Sequence, residues 1–171
     1  MANFILTVIG DDRAGLVSAL SAPIKAHGAS WERSQMARLA GKFAGIVLVV
    51  VADERLDALV ADLTALKDQG LHVTVERTDA PVEPELRRLR LELIGADHPG
   101  IVAEISAGLA AQGVSIEQLI TDVQDAPMAG GTIFVASAVL EVPSTTSTEA
   151  LRSMLEGLAD ELMVDISLAD D

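Results

Sequence analysis

Apolar positions along this chain follow two rhythms that alternate. Phe4, Leu6 and Val8 are spaced by two, as are Leu89, Leu91 and Leu93, the period of a strand with one buried face. Leu16, Leu20 and Ile24 are spaced by four, as are Ile101, Ile105 and Leu109, the period of a helix stripe. Gly28 and Gly113 stand where those helices should stop. A second strand is expected near 30–39 and near 115–124, and a third in "GIVLVVVA" and "TIFVASAVLEV". Leu56, Leu59, Val60, Leu63 and Leu66 mark a second helix, as do Leu151, Met154, Leu155, Leu158 and Leu162. "LHVTVER" and "MVDISLA" read as closing strands.

The two series are copies of one unit. A shift of 85 positions lays "LTVIGDDRAGLVSALSAPIKAHGASWE" over "LELIGADHPGIVAEISAGLAAQGVSIE" without a gap. Further on, the second copy carries roughly five extra residues, in "TDVQDAPMAGGT". The order β-α-β-β-α-β, twice, predicts an α+β protein of two ferredoxin-like units, each an antiparallel sheet with helices on one face. The expected domains are residues 1–79 and 88–171, with 80–87 as linker. The surrounding "TDAPVEPELRR" has two prolines, which predicts a stiff connector.

Two features go against the pattern. Pro23 falls inside the first helix and predicts a kink or an early end there. "GIVLVVVA" is apolar on both strand faces, whereas a sheet with one wet face should alternate. The outer face of the first sheet is therefore expected to be covered, by a second copy of the chain or by the second unit. A homodimer pairing first sheets is the favoured solution.

Composition removes several classes of function. The 171 residues include no cysteine, which excludes disulfides, thiolate metal sites and cysteine nucleophiles. No apolar run predicts a membrane span, and no basic-then-apolar leader is seen at the N-terminus, so a cytoplasmic location is expected. The formal charge is −14. Residues 1–79 hold 10 acids against 8 Lys and Arg, while residues 80–171 hold 16 against 4. Such a surface repels phosphate backbones, so direct nucleic-acid binding is not expected. Arg87, Arg88 and Arg90 form the one notable basic cluster, which ion pairing with the acidic second unit would explain. With four aromatics, the sheet is poorly equipped to stack bases. His27, His72 and His98 have no metal-ligand spacing, and no catalytic motif or cofactor motif is found.

What remains is the repeated junction between first strand and first helix, "GDDRAGLVSAL" and "GADHPGIVAEI". The first turn of a helix offers free N–H groups and a partial positive charge. Gly15 and Gly100 would let a ligand approach that backbone, and Pro99 is suited to a helix start. Asp12 and Asp97 could cap the helices or receive an ammonium group. A small zwitterion suits such a place; an ordinary capped helix start would use the same residues. If ligand access is what Gly100 serves, Gly100→Val should abolish binding and leave the helix folded.

"GADHPGIVAEISAGLAAQGVSIEQL" resembles the opening of an ACT domain, in which a loop of D-x-P-G type leads into a helix and a second strand. The order of elements extends the resemblance over both halves, and the whole is similar to tandem ACT proteins of the glycine cleavage system transcriptional repressor type. The first half departs from the motif, with Arg13-Ala14 in place of His98-Pro99. The resemblance implies a non-catalytic regulator that binds an amino acid, commonly at an interface between ACT units. It implies contacts from Asp97, His98, Gly100, Ile101 and Ser115, and from Asp12, Arg13, Gly15, Leu16 and Ser30. Serine stands at 115 where relatives often have asparagine. It also implies a DNA-binding regulator as protein partner. The competing expectation is an interaction module that keeps the doubled fold for dimerisation without a ligand.

Overall fold

The computed structural model describes residues 1–79, 86–128 and 130–171. Contacts divide the chain into two compact units, Met1–Val82 and Glu83–Asp171. The expected linker falls almost wholly outside the described residues. Leu86 and Arg87, assigned to it above, are already strand.

In the first unit, β1 (Ala2–Asp11) leads to α1 (Leu16–Ala26), β2 (Ser30–Leu39) and β3 (Lys42–Val51). α2 (Leu56–Ala65), flanked by short 3₁₀ turns at Asp53–Arg55 and Leu66–Gln69, leads to β4 (Leu71–Thr78). The sheet order is β2-β3-β1-β4, with every pair antiparallel. Phe4, Leu6, Val8, Val47, Val49 and Leu71 on one sheet face meet Leu16, Leu20, Ile24, Leu59 and Leu63 of the helices. The second unit repeats this with β5 (Leu86–Ala96), α3 (Ile101–Ala111), β6 (Ser115–Asp125), β7 (Thr132–Pro143), α4 (Thr148–Leu162) and β8 (Val164–Asp170). Its order is β6-β7-β5-β8, over a core of its own that includes Leu89, Leu91, Leu93, Ile105, Leu109, Leu140, Leu151 and Leu155. This is the fold class the apolar rhythms predict.

The extra residues of the second unit lengthen one hairpin. β2 and β3 are joined by Ala40 and Gly41, both at positive φ (48° and 78°), the pairing a tight two-residue turn requires. β6 and β7 are joined through residues 126–131 instead. A bulge in the second strand recurs at the same place, between Trp31 and Arg33 and between Ile116 and Gln118.

Pro23 does not end α1, which runs on to Ala26, where the Pro23 carbonyl accepts the His27 N–H at 3.1 Å. The expected early stop is thus not found. The second unit has Gly108 at the matching position, where an added Cβ would lie 2.7 Å from Leu158 and 2.8 Å from Met154.

The face of each sheet turned away from its helices differs between units. In the first it presents Ile5, Leu48 and Val50, half-buried, with Ile9 and Ile46 each 49% exposed. In the second, Arg90 and Glu92 occupy β5 positions matched to Ile5 and Thr7. Arg88 pairs with Glu117 at 3.0 Å and Arg90 with Asp171 at 2.7 Å, as the acidic surroundings predict. Arg87 instead donates to the Thr148 hydroxyl and the Thr146 carbonyl.

Candidate functional site

The two strand-to-helix loops have the same backbone. Gly15 and Gly100 are the residues that cap α1 and α3, at φ 90° and 99°, and neither helix receives a side-chain cap. Asp12 and Asp97 therefore do not cap, contrary to one expectation. Their backbone N–H groups tie the loop to the neighbouring hairpin, Asp12 to the Gly41 carbonyl and Asp97 to the Thr132 carbonyl, each at 2.9 Å. The Asp12 carboxylate also takes Arg38 at 3.4 Å. Pro99 precedes the capping glycine rather than occupying the first helical turn.

The left-handed φ gives these glycines a reason that needs no ligand. Nothing lies within 4 Å of a Cβ built on either, so space does not require glycine, but an L side chain is strained at that φ. The expectation that the helix start would tolerate Gly100→Val is corrected on this ground. Leu16 and Ile101 are each 3% exposed, so their side chains belong to the cores and they offer an incoming ligand their N–H groups alone.

Arg13 and His98, at matched positions, are both engaged with the end of the second helical segment of their unit. Arg13 donates to the Gln69 carbonyl at 2.8 Å. His98 Nε2 lies 2.9 Å from the Leu162 carbonyl, and Nδ1 lies 3.0 Å from the Pro99 carbonyl. Gln69 and Leu162 each end their segment, followed by Gly70 and Met163 in the left-handed conformation. Carbonyls at a helix end lack partners within the helix, and a cation there also meets the negative end of the dipole. The bond to Leu162 raises the His98 pKa above the usual histidine value and the bond to Pro99 adds to it; burial opposes them less strongly, and the Asp97 charge makes the smallest contribution, upward. The signal for this role lay in the sequence as two cationic donors at one repeat position.

Ser30 and Ser115 are not brought to the loops of their own units. Along the sheet Ser115 lies level with Glu141 and Arg88, whereas Ala96, just before the loop, is level with Ile133 and Gln124. That offset of eight residues along β5 is about 27 Å. Ser30 is displaced in the same way, level with Val50 while Leu39 and Asp11 are level with Lys42.

Electrostatics distinguish the two helix starts. α1 has no acid in its first turn, while α3 has Glu104. An anion is therefore better placed at α1. The Asp97 carboxylate is exposed and makes no hydrogen bond among the described residues, so it is available to a cation. No group of three potential metal ligands is found among the described residues, and no helix there is long and apolar enough to cross a membrane. The main concavities lie elsewhere. A groove of about 470 Å³ on the open face of the second sheet is lined by Glu92, Ile94, Ile120, Asp122, Val135 and Asp165, among others. A smaller one of about 260 Å³ on the first sheet includes Ile5, Gln35, Ile46 and Leu48.

Comparison with known proteins agrees with this fold. The model of the ACT domain matches residues 2–76 and 87–169. A crystal structure of an unknown protein from Galdieria sulphuraria is 32% identical, with 99% of this chain and 98% of that one aligned at a TM-score of 0.83. A protein named as a candidate glycine cleavage system transcriptional repressor shares the fold at a TM-score of 0.76 and 18% identity, over 98% of this chain and 95% of its own. Among curated proteins none matches. Two matched stretches that together span most of the sequence, and a full-length relative with the same fold, show that the chain belongs to the ACT-domain family and carries two such domains in tandem.

Proposed function

We propose that this protein is a non-catalytic regulator that binds an amino acid, or a similar small zwitterion, at its ACT helix starts. The observation that carries this reading is the duplicated, uncapped helix N-terminus behind a left-handed glycine, on the surface of both units. A ligand carboxylate would take the N–H groups at Leu16 or Ile101, and in the second unit Asp97 would take its ammonium group. Ser30 and Ser115 would join a site through another unit, since each is remote from the loop of its own. Arg13 and His98 would shape the loops rather than contact the ligand first. A homodimer supplies the second set of units. The likeness to a candidate glycine cleavage repressor, together with the charge of −14, suits an indirect transcriptional role exerted through a DNA-binding partner.

Calorimetry and a thermal-shift screen against the twenty amino acids test this. A ligand at 100 times its Kd should stabilise the fold by about 2.7 kcal/mol. Glu104→Gln should tighten binding at the second unit by a few-fold, because it removes an acid from the first turn of α3. Absence of binding by all twenty would overturn the reading. It would favour the interaction module without ligand, which the position of the main grooves on the open sheet faces already favours.

A further inference from the structure

We propose that His98 is a positioning residue that fastens the Asp97–Gly100 loop to the end of α4 and loosens its hold as pH rises, while Arg13 keeps the matching loop of the first unit fastened at every accessible pH. Its importance for ligand binding rests on the function proposed above; the latch itself does not.

The two latches are the same connection made with different chemistry. In each unit a side chain of the first loop reaches the last carbonyl of the second helical segment, Gln69 from Arg13 and Leu162 from His98. A guanidinium ion keeps its donors throughout the accessible pH range. An imidazole does not. Both His98 ring nitrogens face carbonyl oxygens, which can only accept. The charged ring has two N–H donors and satisfies both; the neutral ring has one, and its remaining lone pair then faces an oxygen. Deprotonation must break one of the two bonds: the Nε2–H tautomer keeps the bond to Leu162 and loses that to Pro99, the Nδ1–H tautomer does the reverse, and in both the ring loses the charge that favours the helix end.

The surroundings favour the charged ring. Asp97 acts on it from the same loop. The other charged groups on the segments flanking Leu162 are Asp160 and Glu161 in the last turn of α4 and Asp165 at the start of β8, but among carboxylates the raised pKa is due to Asp97 alone. The four guanidinium groups of this unit are engaged elsewhere. Arg87 binds Thr146 and Thr148, Arg88 binds Glu117, Arg90 binds Asp171, and Arg152 reaches the Leu168 carbonyl. Because the folded-state pKa is raised, the latch is at full strength below the ordinary histidine value and weakens as pH climbs through the raised one.

The test is an NMR titration of the ligand-free, full-length protein from about pH 5.5 to about pH 9. The His98 ring should titrate above the ordinary value, and the amides of Gly100, Ile101 and Met163 should move with the same midpoint. Those of Gly15 and Leu16 should not follow that midpoint. His98→Arg, which copies the first unit, should hold the second-unit amides at their low-pH positions throughout. Arg13→His should give the first unit a midpoint of its own. Titration of His98 at or below the ordinary value, or titration that leaves Ile101 and Met163 unmoved, would overturn the proposal even if neither variant folds. If an amino acid binds, affinity at the second site should fall through the His98 midpoint while affinity at the first holds. If none binds, the amide shifts still decide the latch.

Discussion

Gly10 and Gly95 show how one atom can matter at a repeated position. A Cβ on Gly10 would lie 2.6 Å from the Gly70 carbonyl, and one on Gly95 would lie 2.9 Å from the Val164 Cα. In both units the first strand runs too close to the start of the last strand to hold a side chain there. Gly10→Ala and Gly95→Ala should each cost about 1–3 kcal/mol in urea denaturation, because backbone must move. Gly157, in the interior of α4 with nothing within 4 Å, should behave oppositely, and Gly157→Ala should stabilise by roughly 0.5–1 kcal/mol. At this scale the sequence was partly legible. It singled out Gly100, Arg13 and His98 as ligand contacts, and it did not show that the backbone at Gly100 needs a left-handed turn or that Arg13 and His98 each serve a helix end as donor. Those needs arise from φ and from a carbonyl 64 residues away in sequence, and neither leaves a local pattern.

The elements were largely legible, because their signal is periodic and repeated. The second strands begin at Ser30 and Ser115, where the rhythm changes after Gly28 and Gly113. Pro23 was misread in one respect, since α1 continues beyond it. Burial of Ile24 after it anchors the last turn to the core and outweighs the lost bond. Pro23→Ala should therefore stabilise the protein by about 1 kcal/mol or more, read from the shift in urea midpoint. Ser147 caps α4 by accepting the Ala150 N–H at 3.3 Å, and Ser147→Ala should cost about 1 kcal/mol in the same measurement.

For the whole molecule, charge and apolar surface dictate opposite behaviour towards different partners. The charge of −14 should prevent the purified protein from retarding DNA in a gel at physiological salt. The open face of the first sheet, with Ile5, Ile9, Ile46 and Leu48, should associate, giving twice the 17.9 kDa chain mass in sedimentation equilibrium at micromolar concentration. A single 17.9 kDa species would remove the dimer from the proposed function. The stretch that separates Ser115 from its own loop adds a consequence about stoichiometry. A ligand that needs both contacts must bridge two units, so it acts as a cross-link. If the two units come from different chains, the ligand's apparent affinity should strengthen as protein concentration rises, and dilution should release it by mass action.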